Sequence, residues 1–376
     1  MTLTGIDVLA RDGFRTLRGS RIGLVTNHTG LTREGRATID ALHAAPGVSL
    51  EALFGPEHGI RGDFDQADIA DGTDARTGLP VYSLYGARTQ PSPAQLAGLD
   101  TLVFDIQDIG CRFYTYLSTL GNILEAAHTH KLRVVVLDRP NPITGTRAEG
   151  PSADADKLAF VAYHPIPVRH GLTFGELARL FHAEKCFDCP LEVIACEGWR
   201  RGDWYDATGL LWTDPSPNMR RLTAAALYPG VGLLELTNVS VGRGTDTPFE
   251  IFGAPYVSAR AFAAALNAEN LPGVRFVPAE FTPGSSVFGG EKCGGVQILL
   301  TERELLDAVR VGFSLARTLR RLSETAWQPD KLMTLLANRK AYDRLMAGDA
   351  YAEIAGGWAG DLAAWVRRTE KHWLYE

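Results

Sequence analysis

The chain is poor in cysteine, in long apolar runs and in clustered basic charge. Five cysteines among 376 residues, an odd number in a long chain, do not make the framework of a disulfide-stapled domain. No stretch approaches the roughly 20 apolar residues that span a bilayer. Lysines and arginines never run beyond pairs such as Arg200-Arg201 and Arg320-Arg321, and the net charge is −6. Neither nucleic acid nor a membrane is therefore expected as a partner. The first residues, Met1-Thr-Leu-Thr-Gly-Ile-Asp, have neither the basic nor the apolar region of a secretory signal. The expected location is cytoplasmic as written, or exported if a leader has been removed. Several catalytic signatures are also missing: there is no Walker loop, no G-x-S-x-G elbow, no S-x-x-K nucleophile and no H-E-x-x-H pair. Gly242-Arg243-Gly244 lacks the third glycine and the strand-to-helix setting of a dinucleotide site.

What is present is an alternation of strand and helix. Arg21–Asn27, Leu50–Phe54, Thr101–Ile106, Arg133–Asp138 and Leu191–Cys196 read as strands, several of them near-continuous apolar runs of the kind buried on both faces. Helical patterns over Arg33–Ala45, Phe113–Lys131 and Thr173–Cys186 lie between them, the last opened by a capping box of Thr173 and Glu176. This spacing predicts an α/β fold with a Rossmann-like, doubly wound, mostly parallel sheet. After about Trp212 the composition changes. A Pro-rich link (213–219), Tyr228-Pro229-Gly230 and a Gly/Thr/Asn-rich stretch (234–255) precede short strands at Val274–Val277 and Gly295–Leu300. Helices are expected at Ala259–Ala268, Glu302–Leu322, Leu332–Ala337 and Gly360–Lys371. The division expected is a Rossmann-like catalytic domain, 1–221, and a smaller α+β domain, 222–376, closing the active-site cleft.

Ionisable groups gather at the strand ends. Asn27-His28 follows the first strand, and Gly55-Pro56-Glu57-His58-Gly59 the second. Asp105 to Arg112 follows the third, and Asp138-Arg139-Pro140-Asn141 the fourth. The carboxyl ends of parallel strands are where open α/β sheets build their sites, so these four ends point to a polar pocket at the topological switch point. Glu57, Asp105, Asp108, Asp138 and Glu149 are the candidate carboxylates. A pair of them can cleave a glycosidic bond, one protonating the leaving oxygen while the other attacks or activates water, with retention or inversion set by their separation. The same groups with His28 or His58 can hold a divalent metal, and Asp105 and Asp138 can serve merely as caps. The His182, Cys186, Cys189 and Cys196 spacing would also suit zinc, although small buried thiols account for it more simply. Phe113, Tyr114 and Tyr116 offer aromatic faces to a sugar, and Arg112, Arg139, Arg169 and Arg243 offer bidentate capture of an anionic substrate.

Several of these blocks occur together in one family. They are Thr26-Asn27-His28-Thr29-Gly30, Phe54 to Gly62, Phe104 to Gly110 with Arg112 to Tyr116, Asp138 to Pro142, Pro215-Ser216-Pro217-Asn218-Met219 and Ser240 to Asp246. With them the chain resembles the exo-β-N-acetylmuramidase family of the NamZ type over nearly its whole length. The resemblance implies a Rossmann-like domain with a smaller C-terminal one. It further implies a glycosidase of cell-wall turnover and recycling, which releases N-acetylmuramic acid from the non-reducing ends of peptidoglycan fragments without metal or cofactor. It gives Glu57 as the principal catalytic carboxylate; Asp105 or Asp108 is the second carboxylate expected beside it. The substrate-binding candidates are Asn27, His28, His58, Arg112, Tyr114, Tyr116, Arg139, Asn141, Asn218, Asn238, Arg243, Thr245 and Asp246. A metal-dependent hydrolase using His28, His58, Asp105 and Asp108, and a non-catalytic peptidoglycan-sugar-binding protein, remain the alternatives.

Overall fold

Runs rich in Val, Leu and Ile become the inner strands of one sheet in the computed structural model, which describes residues 1–57, 59–60 and 71–376. In chain order the strands are β1 (Arg21–Thr26), β2 (Ser49–Gly55), β3 (Gly72–Thr73), β4 (Pro80–Ser83), β5 (Thr101–Asp105), β6 (Arg133–Leu137), β7 (Glu149–Ser152), β8 (Pro167–Arg169), β9 (Leu191–Ile194), β10 (Ile251–Ala254), β11 (Val274–Phe281) and β12 (Cys293–Leu300). The large sheet has the order β3-β4-β2-β1-β5-β6-β9. Every pairing in it is parallel except that of the short edge strand β3 with β4. Counted along the chain, its six parallel strands follow the 3-2-1-4-5-6 order of a Rossmann-like sheet. The inner strands β1, β5 and β6 are buried on both faces, as their unalternating sequences require.

The helices are shorter than the periodicity predicts, each time because a loop residue has a better partner elsewhere. The first begins at Thr38 instead of Arg33, since Thr38 N donates to Gly30 O and Thr32 N to Arg36 O, closing residues 30–38 into a loop. The next begins at Tyr116, because Arg112 N is bound to Val168 O beside β8. Helix Phe174–Glu184 keeps the expected capping box, with Thr173 Oγ1 accepting from Glu176 N.

The smaller domain is built on an antiparallel sheet in the order β10-β12-β11. Its strand β10 lies inside the Gly/Thr/Asn-rich stretch that had no strand signature. Tyr228-Pro229-Gly230, expected as a break, instead lies within the helix Leu222–Val231. This helix crosses Ala308–Leu322 so closely that a Cβ on Gly230 would come within 1.7 Å of Ala308 O, and one on Gly312 within 2.3 Å of Gly230 O. The glycine is there for contact between backbones rather than for a turn. The chain ends back on the large sheet, where Tyr375 Oη donates to Asp138 Oδ2 at 2.5 Å and Leu374 N to Glu176 Oε1 at 3.0 Å. No helix of the described residues is long and apolar enough to cross a membrane.

One side chain joins the two domains at their centre. Arg112 is fully buried, and its guanidinium donates to Pro151 O, Ile166 O, Leu335 O and Leu336 O at 2.7–2.9 Å. The last two carbonyls end the helix Leu332–Leu336 of the smaller domain. Arg112→Met would take the guanidinium donors away from four carbonyls, of which Ile166 O keeps a backbone donor, Ala153 N. A loss of about 3 kcal/mol or more is expected by equilibrium denaturation, and a loss below about 1 kcal/mol would contradict the role given to this arginine.

Candidate active site

β2 ends at Gly55, whose carbonyl accepts from Leu84 N, and Pro56 stops the ladder. Gly59, at φ +72°, returns its N–H to Pro56 O and closes a turn that presents Glu57. The Glu57 carboxylate is half-buried and accepts from Thr115 Oγ1 at 2.5 Å. It faces a cleft of about 490 Å³ between the two domains. From the first domain Tyr85, Phe113, Tyr114, Ser216 and Asn218 line this cleft; from the second come Tyr228, Glu235, Arg243, Phe249 and Lys331.

Glu235 is the second carboxylate of this cleft. The crossing of Leu222–Val231 over Ala308–Leu322 leads through the single turn Gly232–Leu234 directly to it. Burial pushes its carboxyl above the usual range and the neighbouring Glu57 adds to this, while Arg243, at 2.6 Å, pulls it back. The aromatic wall is continuous: Tyr228 meets Phe113, Tyr114 and Phe249 with ring centroids 5.1, 5.9 and 4.7 Å away. Such faces suit the C–H side of a sugar ring, and the carboxylates and amide suit its hydroxyls.

Of the residues expected to form the site, the structure brings Glu57, Tyr114, Asn218 and Arg243 to the cleft. Asp105 is placed elsewhere. It is completely buried in a bidentate pair with Arg139, at 2.5 and 2.9 Å, and also accepts from Thr38 Oγ1 at 2.5 Å. Asp108 is buried as well, accepting from Gly110 N at 2.9 Å and lying 3.2 Å from His170 Nε2. Neither lines the cleft that Glu57 faces. Arg112 is spent on carbonyls. Arg169 binds Glu149, whose other oxygen accepts from Ala308 N. Asp138 caps the helix Phe174–Glu184 through Gly175 N and Thr173 Oγ1.

The remaining candidates shape loops. Asn27 Oδ1 accepts from Thr29 N and Oγ1, and His28 Nε2 meets Asp214 O at 2.6 Å. Tyr116 Oη donates to Pro215 O at 2.6 Å, holding the Pro-Ser-Pro-Asn segment against the cleft. Asn141 binds Leu172 O and Ile143 N, and Asn238 binds Ala326 O and Gln328 N. Thr245 Oγ1 donates to Gly242 O, and Asp246 is exposed 3.6 Å from Arg220. His58 lies outside the described residues. Among the described residues no three His, Cys, Asp or Glu side chains converge as metal ligands. His182 Nε2 meets Cys189 O, while Cys196 Sγ donates to Asp138 O.

Tyr85, Ser216, Tyr228, Glu235, Phe249 and Lys331 line the cleft without having been singled out from the sequence. The signal for Glu235 was a lone carboxylate inside the apolar run Val231 to Leu236. A second cavity, of about 350 Å³, lies under the C-terminal helix Ala359–Thr369, but Glu376 is its one acidic lining residue.

Two acidic groups facing one aromatic-walled cleft, between a Rossmann-like domain and a smaller α+β domain, define a glycosidase-type protein. Residues 22–223 match the family model for the N-terminal domain of exo-beta-N-acetylmuramidase NamZ, and residues 226–375 match that for its C-terminal domain. The chain is 45% identical over 317 residues to the peptidoglycan beta-N-acetylmuramidase NamZ of Bacillus subtilis (strain 168), covering 84% of this chain and 77% of that protein. Crystal structures of two DUF1343 family proteins from Bacteroides fragilis NCTC 9343 share the fold. One is 37% identical with a TM-score of 0.93, the other 28% identical with a TM-score of 0.82, and each match covers 100% of this chain and 99% of the other. The chain belongs to the exo-β-N-acetylmuramidase NamZ family.

The cleft electrostatics have a direct test. Arg243 is the group that holds the Glu235 carboxyl down, so Arg243→Met is expected to raise its titration midpoint by roughly one to three pH units. Carboxyl-carbon NMR of the labelled protein reads this, and an unmoved midpoint would show that the pair is electrostatically idle.

Proposed function

We propose that this chain is an exo-β-N-acetylmuramidase that removes N-acetylmuramic acid from the non-reducing ends of peptidoglycan fragments. In this reading residues 1–221 carry the acid and residues 222–376 close the cleft over the sugar. The observation that supports it best is that Glu57 and Glu235, one from each domain, face a single cleft in a member of this family.

Glu57 is the general acid. Its carboxyl sits at the rim of β2, where Thr115 orients it, and it protonates the glycosidic oxygen as the bond to the leaving sugar breaks. The ionised form of Glu235 is favoured, against the push of burial, by the Arg243 paired with it. Its negative charge stabilises the positive charge that develops at the anomeric carbon. Tyr114, Tyr228 and Phe249 form the wall on which the sugar ring lies, and Asn218 addresses its polar rim.

The two roles separate by leaving group. Glu57→Gln is expected to cut turnover of an N-acetylmuramic-acid disaccharide by about 10²- to 10⁴-fold. It should do far less to a 2,4-dinitrophenyl glycoside, whose departure needs no proton. Glu235→Gln is expected to disable both substrates. Near-normal hydrolysis of the disaccharide by Glu57→Gln, with an unchanged circular-dichroism spectrum, would remove Glu57 from the mechanism.

A further inference from the structure

N-Acetylmuramic acid differs from N-acetylglucosamine by a lactyl ether on O3, which adds one carboxylate at neutral pH. A cleft that prefers the acid needs a cation placed for that group. The expectation drawn from the sequence, that Arg112, Arg139 or Arg243 supplies it, meets a difficulty in each case. Arg112 is buried with both terminal nitrogens on carbonyls, Arg139 is locked to Asp105, and Arg243 is taken up by Glu235.

Among the described residues the cleft has one other cationic side chain. Lys331 lines it with an exposed side chain, and its ammonium forms no ion pair with a described residue. Its backbone, by contrast, is firmly held. Lys331 is the N-cap residue of the helix Leu332–Leu336, whose three leucines at 332, 335 and 336 are buried and whose final carbonyls accept from Arg112. The root is thus anchored in the domain interface and the head reaches open space.

Charge balance points the same way. The charged residues that line the cleft among those described are Glu57, Glu235, Arg243 and Lys331. Without the lysine, ionised carboxylates would leave the cleft with one negative charge in excess, and an anionic sugar would be repelled at short range. With the lysine that excess disappears, and because Arg243 is paired with Glu235 it is the lysine that no described carboxylate engages.

We propose that Lys331 is a specificity-determining residue that binds the lactyl carboxylate of the substrate; this rests on the muramidase reading above. The test is kcat/KM for chromogenic β-glycosides of N-acetylmuramic acid and of N-acetylglucosamine, measured on the wild type, Lys331→Met and Lys331→Arg. Lys331→Met is expected to lose about 10- to 100-fold on the muramic acid glycoside, mainly through KM. It should hold or improve its rate on the neutral glycoside, and Lys331→Arg should retain most of the wild-type preference. An unchanged ratio of the two substrates in Lys331→Met, or an equal loss on both, would overturn the assignment while leaving the muramidase reading intact. A wild type that cleaves neither glycoside would overturn both.

Discussion

The cleft depends on a guanidinium that forms no ion pair with a described carboxylate. Arg112 is buried beneath the interface, and the loss of water around it lowers its pKa to about 10, so it remains charged at neutral pH. Four carbonyl dipoles take the place of a carboxylate. A buried Arg–Asp pair would have satisfied one neighbour, whereas this arrangement draws in three segments: β7, Ile166 just before β8, and two successive carbonyls at the end of a helix in the other domain. A lysine has three donors on a single point and could not span them. The residues that follow, Phe113, Tyr114 and Thr115, form one wall of the cleft, and the helix it grips begins beside Lys331 on the other. Arg112 thus ties the two walls together from below, alongside bonds such as Ala308 N to Glu149 Oε2 and Asn338 Nδ2 to Ser152 O.

A second buried charge explains why the cleft is not where a doubly wound sheet usually binds its ligand. In such sheets the crevice opens at the switch point, here between β1 and β5. That crevice is filled by Asp105, Arg139 and Thr38, with Arg139 also donating to Leu31 O. The polar residues that mark a switch-point site in sequence here close one. The cleft has moved one strand outward, to the end of β2, where the second domain can lie over Glu57.

This accounts for what the sequence disclosed and what it hid. Sheet order follows from unalternating apolar strands and their spacing, and Glu57 was legible because Gly-Pro after a strand can hardly do other than expose the next residue. Asp105 and Asp108 looked equivalent to it, since a strand-end carboxylate reads alike whether it faces solvent or a partner. For Asp105 that partner, Arg139, is 34 residues away in sequence, a distance no local pattern reports. Glu235 was obscured for the opposite reason. Tyr228-Pro229-Gly230 carries the local signature of a turn, yet it lies in a helix because Gly230 and Gly312 must touch. Only that contact brings the following carboxylate to the cleft.

The two carboxylates consequently belong to different domains and are held by different means. Glu57 is fixed by a hydroxyl from its own domain, Thr115. Glu235 is fixed by Arg243 from its own domain. No strand or helix contains both, so their separation is a property of the interface rather than of either part. The charge of Glu57 also adds to the burial that pushes the Glu235 carboxyl up. That coupling strengthens as the domains approach and fades as they part, because Coulomb energy falls with distance and with entering water. In a glycosidase the carboxylate separation sets the stereochemical course, and small errors of placement are costly to rate. It follows that a central constraint on the chemistry lies outside the cleft, in the buried contacts between the domains, Arg112 among them, that hold its two carboxylates in relation to each other.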